Sequence, residues 1–98
     1  PVAETRGEGD TVELPLPKPA RIDHVVLQED IAAGERVRKY ALEGLVPGAT
    51  WQTLCEGTSI GHKRIERFAP IEVARVRFRA VESVGQARLR TLAACAVG

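Results

Sequence analysis

The alternation of apolar and charged residues within positions 71–82 is the strongest structural signal in this sequence. Its central part runs Arg75, Val76, Arg77, Phe78, Arg79, Ala80. Successive side chains of a β-strand point to opposite faces of a sheet. The pattern therefore predicts a strand that places its apolar side chains in a core and its three arginines outside.

Seven segments of the chain have strand-like composition and are separated by turns or loops. They cover residues 11–16, 22–28, 36–45, 51–56, 59–68, 71–82 and 88–97. Prolines punctuate several boundaries, and proline is tolerated only at edges and strand ends. Short strands spaced by about 8–12 residues are typical of an antiparallel β-sandwich. We therefore predict an all-β fold in which residues 11–98 form a single sandwich domain and residues 1–10 an N-terminal flanking segment.

The final segment admits a second interpretation. Residues 88–96 are rich in Ala, Leu and Arg, which are good helix formers. Leu89, Leu92 and Ala93 would share one stripe of such a helix. We predict a strand, because every other segment is β-like and a single terminal helix would not fit that pattern.

The charge balance argues against two classes of partner. The chain of 98 residues carries 14 Lys and Arg against 13 Asp and Glu, a formal net charge of +1. Such a surface has no general electrostatic attraction for nucleic acid or for an anionic membrane. No stretch approaches the roughly 18 apolar residues of a membrane span. The N-terminus shows no signal-peptide pattern, so either processing has removed one or the chain is a piece of a longer one; we favour the second interpretation.

Cysteine and histidine usage does not indicate a metal centre. Cys55 and Cys95 lie in apolar stretches, which favours small buried side chains and leaves a disulfide bridge as the alternative. His24 and His62 are not spaced as metal ligands relative to the cysteines. We predict neither a metal site nor a catalytic thiol.

Two surface features allow a binding and a structural interpretation. The three arginines of residues 71–82 match an anion-binding stripe, or a solvated outer face with cross-strand carboxylate partners. The candidate partners are Glu13, Glu43, Glu66 and Glu72. Trp51 matches a platform for sugar stacking, or a half-buried packing residue. We favour the structural interpretation of both features.

Catalytic patterns are absent from the sequence. It has no glycine-rich phosphate loop, and no Ser or Cys nucleophile has a convincing His partner. Glu29 and Asp30 are adjacent, and side chains of adjacent residues diverge in a strand. A glycosidase needs two carboxylates about 5–10 Å apart across a sugar pocket. The strongest polar cluster is His62, Lys63 and Arg64, either a ligand contact or a surface group. We predict no catalytic residue.

Four blocks of sequence are similar to a known family. They read IDHVVLQEDI at 22–31, GERVRKY at 34–40, WQTL at 51–54 and EGTSIGHKRI at 56–65. Together they resemble the C-terminal β-sandwich domain of family 29 glycoside hydrolases, the α-L-fucosidases, over residues 11–97. In that family a (β/α)8-like catalytic domain precedes the sandwich, which is similar to discoidin-like, factor V/VIII type C domains and to family 32 carbohydrate-binding modules.

The resemblance implies a jelly-roll, galactose-binding-domain-like sandwich without catalytic carboxylates. It implies an accessory domain of a secreted, extracellular or periplasmic enzyme. The expected partners are the catalytic domain and glycans containing fucose or galactose. Relatives often carry a structural calcium loop ahead of the part matched here, and we expect no cofactor in this chain.

Sugar-binding relatives use loops at one end of the sandwich, and the polar residues of those loops are the candidates here. They are Glu29, Asp30, Arg36, His62, Lys63 and Arg64. The loop after residues 22–28 has acidic residues where relatives present an arginine, and it lacks their asparagine. The loop 83–87 lacks a stacking aromatic. We expect either a carbohydrate-binding module that uses these six residues, or a structural module that docks onto the catalytic domain or a neighbouring subunit.

Overall fold

Six antiparallel strands form the fold in the computed structural model, which describes residues 1–97. They are β1 (Ala3–Glu8), β2 (Thr11–Glu29), β3 (Val37–Leu45), β4 (Trp51–Gly57), β5 (Arg64–Ser83) and β6 (Arg88–Cys95). A short 3₁₀ helix, Ile31–Ala33, lies between β2 and β3. The strands follow the order β1-β6-β2-β5-β3-β4, and none of the described helical segments could span a membrane.

Strands β2 and β5 belong to both layers of a sandwich. Their pairing is interrupted between Pro15 and Ala20 of β2, and again where β5 passes Pro70. Proline has no N–H to donate to a ladder, so the strands can bend there from one layer into the other. The first layer contains β1, β6, the second half of β2 and the first half of β5. The second layer contains β4, β3 and the remaining halves.

This arrangement confirms the predicted antiparallel sandwich and corrects the strand count. The predicted strands 11–16 and 22–28 are one strand, β2, and residues 71–82 continue the strand that starts at Arg64. The prediction for 59–68 was wrong at its start, because residues 59–63 lie outside any strand. Residues 88–95 form a strand, as predicted, and not a helix.

Residues 1–10, which were predicted to flank the sandwich, contribute a strand to it. Residues 3–8 form β1, which pairs with β6 from Ala3 opposite Ala94 to Glu8 opposite Arg88. The exposure of β1 alternates along its length, with Ala3 packed against the core. The predicted boundary at residue 11 therefore does not separate the first ten residues from the sheet.

The core lies between the layers and is built from the alternating positions of the long strands. Ile22, Leu27, Phe78 and Leu92 are completely buried. Each such side chain contributes roughly 1.5–3 kcal/mol through its removal from water. The Phe78 ring packs against Tyr40 with 5.9 Å between ring centroids. Phe78 thus lies in the core, as its place in the alternation predicts.

One side of the sandwich is closed by a polar cluster around Glu66. Its carboxylate accepts hydrogen bonds from the Tyr40 hydroxyl at 3.0 Å and from Arg64 Nε at 3.2 Å, and the Cys55 thiol lies at 3.6 Å. Burial, with the charge of Glu66, raises the pKa of the Cys55 thiol to about 12. The thiol therefore stays protonated at neutral pH and is a poor nucleophile. Both Cys55 and Cys95 are free, so the disulfide alternative is wrong.

The two ends of the sandwich carry different kinds of structure. The loop end holds the connections 9–10, 30–36, 58–63 and 84–87. The opposite end, here the corner end, holds the bends of β2 and β5. Both ends of the described chain also lie there, because Val2 N donates to Ala94 O at 2.7 Å and Val97 N donates to the Asp23 carboxylate at 3.2 Å. Polypeptide that continues from either end therefore leaves the domain away from the loops.

Candidate functional site

Backbone hydrogen bonds bring the three longer connections of the loop end together. Glu29 N donates to Gly61 O at 3.3 Å, which joins the end of β2 to the connection 58–63. Val84 N donates to Arg36 O at 2.8 Å, which joins the connections 84–87 and 30–36. Ile60 is buried in the core and anchors its own connection. Candidate residues from two separate sequence blocks therefore share one end of the molecule.

Glu29 has a structural position within this end. Its side chain is buried, with the residue only 3% exposed. Oε2 accepts from Arg36 N at 2.7 Å and from Val37 N at 3.0 Å, which fixes the start of β3. Oε1 is also buried and has no hydrogen-bond partner among residues 1–97. Glu29 therefore builds the loop and does not present its carboxylate at the surface.

Asp30 and Arg36 flank the same loop with different exposure. The exposed Asp30 carboxylate accepts from Ala32 N at 3.2 Å and caps the 3₁₀ helix. Its backbone N donates to Arg88 O at 2.9 Å. Arg36 is half-buried, and its guanidinium donates to Gln86 O at 3.4 Å. Asp30 is thus available at the surface, while Arg36 ties two loops together.

The remaining candidates divide between the loop end and the side of the sandwich. His62 and Lys63 are exposed in the turn that follows Gly61, whose φ of +63° favours glycine. Arg64 instead joins the polar cluster around Glu66. The structure therefore brings Glu29, Asp30, Arg36 and the turn of His62 and Lys63 together, and it places the Arg64 guanidinium in a different cluster.

A shallow cleft at the loop end contains residues that the sequence did not single out. Its volume is about 370 Å³, and it lies between the end of β1, Asp30 and the start of β6. The lining residues are Arg6, Gly7, Glu8, Asp30, Arg88 and Leu89. Arg88 Nε lies 3.4 Å from Glu8 Oε2. The only sequence pattern that points to these residues is weak: charged residues alternate at positions 4, 6 and 8.

The outer face of the second layer is covered by paired charges. Arg75 contacts Glu13 at 3.2 Å, while Arg77 and Arg79 both contact Glu43, at 2.9 and 3.4 Å. Two of the predicted partners thus pair with the arginines. The Arg77 guanidinium also lies 4.0 Å from the centroid of the Trp51 ring. Trp51 is therefore a half-buried packing residue, and the arginines form no free anion-binding stripe.

The outer face of the first layer has a different character. Val26 lies between the core residues Val25 and Leu27, so it points outward, and it is flanked across the sheet by Ala93 and Ile65. Ile65 is 41% exposed. This row of three apolar side chains is called the apolar row below.

No cluster that could hold a metal occurs among residues 1–97. The polar groups at the loop end include three arginines (Arg6, Arg36 and Arg88), exposed carboxylates, a lysine and an imidazole. Such groups donate and accept hydrogen bonds with hydroxyl-rich ligands. The arrangement is therefore suited to ligand binding.

Known proteins are similar to this chain in sequence and in structure. No family model matches the chain. A crystal structure of a "putative alpha-L-fucosidase" from Bacteroides thetaiotaomicron matches all of this chain and 22% of its own, with a TM-score of 0.95 and 38% identity. The "Putative alpha-L-fucosidase 1" of Oryza sativa subsp. japonica is 44% identical over 57 residues, 58% of this chain and 11% of the rice protein.

A third match concerns the fold alone. The family 32 carbohydrate-binding module of C. perfringens NanJ, solved in complex with galactose, has a TM-score of 0.71 and 17% identity over 84% of this chain and 64% of its own. These matches confirm the predicted resemblance to α-L-fucosidases and the predicted galactose-binding-domain-like sandwich. The chain spans about a fifth or less of the fucosidases that it matches.

Proposed function

We propose that this domain is a non-catalytic accessory module of an α-L-fucosidase-like glycoside hydrolase, and that it binds glycans containing fucose or galactose at its loop end. The observation that carries the proposal is the position of the loop end. It bears an open cleft and exposed hydrogen-bonding groups, and it lies opposite the end at which the described chain starts and stops. A glycan held there stays clear of polypeptide that continues from either terminus.

The residues of the loop end have two roles in this proposal. Asp30, His62 and Lys63 are exposed and contact the ligand, because their polar groups are accessible to sugar hydroxyls. Glu29 and Arg36 hold the loops in place through their hydrogen bonds. Arg64 contributes to the cluster around Glu66 and not to the ligand site. Glycans of this kind occur outside the cell, which accords with a secreted enzyme.

Amide NMR titration of this chain tests the proposal. Galactose and L-fucose should each give saturable shifts confined to the residues around Asp30 and His62. His62→Ala should weaken the response, whereas Arg75→Gln, on the outer face of the second layer, serves as the matched control and should leave it unchanged. A well-dispersed spectrum that neither sugar alters would contradict glycan binding.

The apolar row favours a second candidate function, docking onto the catalytic domain. Ala93 is buried, but Val26 is half-buried and Ile65 is 41% exposed, so part of the row is open to solvent. Uncovered apolar surface is often an interaction site. If the row docks, Ile65→Lys should lower the melting temperature of the polypeptide that contains both domains more than it lowers that of this domain alone. Equal shifts would contradict docking through the row.

A further inference from the structure

The cleft at the loop end lies beside an irregularity shared by two ladders. In the pairing of β1 with β6 the register shifts between Thr5 and Gly7, so that Gly7 faces Leu89. In the pairing of β2 with β6 it shifts between Gln28 and Glu29, and Glu29 also faces Leu89. Both shifts occur at the same place on β6. A bulge of this kind redirects neighbouring side chains and is common next to functional sites.

The bulge opens the cleft between two walls of charged groups. Arg6 and Glu8 of β1 form one wall, while Asp30 and Arg88 form the other. The hydrogen bond from Asp30 N to Arg88 O, at 2.9 Å, holds the second wall together. Arg6, Glu8 and Arg88 therefore lie on strands, and this hydrogen bond ties Asp30, the first residue of the connection 30–36, to β6. A framework of this kind orients binding groups better than mobile loops do.

Several polar groups of the cleft remain available to a ligand. Arg88 is within 3.4 Å of Glu8, but Arg6 has no ion-pair partner in the part of the chain that the structure describes. The Asp30 carboxylate accepts one hydrogen bond through Oδ1, from Ala32 N, and forms no ion pair among those residues. A guanidinium with free N–H groups thus lies in the same cleft as a carboxylate that can accept further bonds.

The charges and the lining define the class of ligand. Two arginines and two carboxylates balance, so the cleft does not attract an anion, which would lie against Glu8 and Asp30. None of its lining residues is aromatic, which removes stacking as a source of affinity. Its volume of about 370 Å³ lies near the small end of ligand sites, which are roughly 300–1,000 Å³.

We propose that this cleft binds the edge of one neutral sugar residue through adjacent hydroxyl groups. The Asp30 carboxylate accepts from one hydroxyl, and Arg6 and Arg88 donate to its neighbours. The inference rests on the proposed glycan binding and makes it more specific. It selects the cleft over the turn of His62 and Lys63 as the main contact, and neutral sugars over sugar acids.

Titration of matched variants with three sugars tests this inference. Methyl galactoside and L-fucose should shift the amides of Gly7, Asp30 and Leu89, while galacturonic acid should bind at least tenfold more weakly. Arg6→Gln and Asp30→Asn should each weaken neutral sugar binding about tenfold. An asparagine at position 30 still caps the 3₁₀ helix, so the second variant preserves the loop. Arg75→Gln is the control and should bind as the unaltered chain does.

The outcomes separate this inference from the proposed function. Shifts confined to residues 61–63, with binding unaffected by Arg6→Gln, would overturn the cleft as the site while glycan binding stands. Tighter binding of galacturonic acid would overturn the assignment to neutral sugars. A spectrum that no sugar alters would overturn both proposals.

Discussion

The two outer faces of the sandwich differ in how their side chains are covered. On the second layer, Arg77 and Arg79 share Glu43, and Arg77 also covers the Trp51 ring. Charged groups there are already paired within the domain. On the first layer, Ala93 of the apolar row is buried, but Val26 is only half-buried and Ile65 is 41% exposed. The comparison indicates that the second face is complete in the isolated domain, whereas the first can still gain from a partner.

A single strand supplies residues to both faces. The first half of β5 contributes Ile65 to the apolar row. Its second half contributes Arg75, Arg77 and Arg79 to the outer face of the second layer, which is called the paired face below. The bend near Pro70 separates the two halves. The difference between the faces is therefore encoded within one continuous strand.

The largest effect should come from Glu43→Ala. Only 13% of the Glu43 side chain is exposed, and its loss leaves Arg77 and Arg79 without their carboxylate. We expect the free energy of unfolding in urea to fall by about 1–2 kcal/mol, as for hydrogen bonds to charged groups. Glu13→Ala is the matched control, because that side chain is 43% exposed and pairs with Arg75 alone. Its loss should cost no more than about 0.5 kcal/mol. Equal losses of unfolding free energy for Glu43→Ala and Glu13→Ala would show that a carboxylate shared by two arginines stabilises the domain no more than one paired with a single arginine.

Acid should lower the free energy of unfolding by protonating the Glu43 carboxylate of the paired face. Burial raises the pKa of Glu43, but the hydrogen bonds and charges of Arg77 and Arg79 outweigh it and hold the pKa below its usual value. A lowered pKa in the folded state stabilises the protein above the unfolded pKa of about 4.3. That contribution is lost as the pH falls through the folded value. Urea unfolding between pH 6 and 3 should therefore show a shallower acid loss for Glu43→Gln, and parallel profiles would contradict this cause.

The sequence predicted the paired face better than it predicted the strands that carry it. The alternation of residues 71–82 is local, so it identified both the core side and the arginine side. The continuity of β2 and β5 is not local. Each half of these strands pairs with a different neighbour, and a proline that ends a ladder in one layer is the bend into the next. Proline positions alone do not distinguish a strand end from such a bend.

The loop end shows the same limit for functional residues. Asp30 and His62 became candidates because they lie in sequence blocks that resemble a known family, and His62 also because it belongs to the strongest polar cluster of the sequence. Glu29 lies in the same block, but its burial depends on backbone N–H groups of Arg36 and Val37. Arg6 enters the cleft only because β1 pairs with β6, which lies at the other end of the chain. Contacts of this kind leave no local pattern.

A smaller effect should come from the contact between Arg77 and Trp51. A guanidinium 4.0 Å from an indole centroid is in cation–π range, and such contacts contribute about 0.5–1 kcal/mol at exposed sites. A double-mutant cycle with Trp51→Leu and Arg77→Gln should give a coupling energy of about 0.5 kcal/mol in urea unfolding. The same cycle with Arg75→Gln is the control, and it should be additive. A coupling near zero for both cycles would show that the stacking stabilises nothing.

The smallest effect should come from Ile65→Ser on the apolar row. Ile65 is 41% exposed and, unlike the residues around Glu43, is not covered by an arginine–carboxylate pair. Because Ile65 keeps 41% of its surface exposed in the folded isolated domain, the free energy of unfolding should change by less than about 0.5 kcal/mol, as at surface positions. Val26→Ser is the matched comparison in the same row, and it should cost more because Val26 is half-buried. A loss above about 1 kcal/mol for Ile65→Ser, in the range of partly buried positions, would mean that the apolar row already stabilises the isolated domain. The paired face and the apolar row would then both stabilise the isolated domain, and the comparison between them would be wrong.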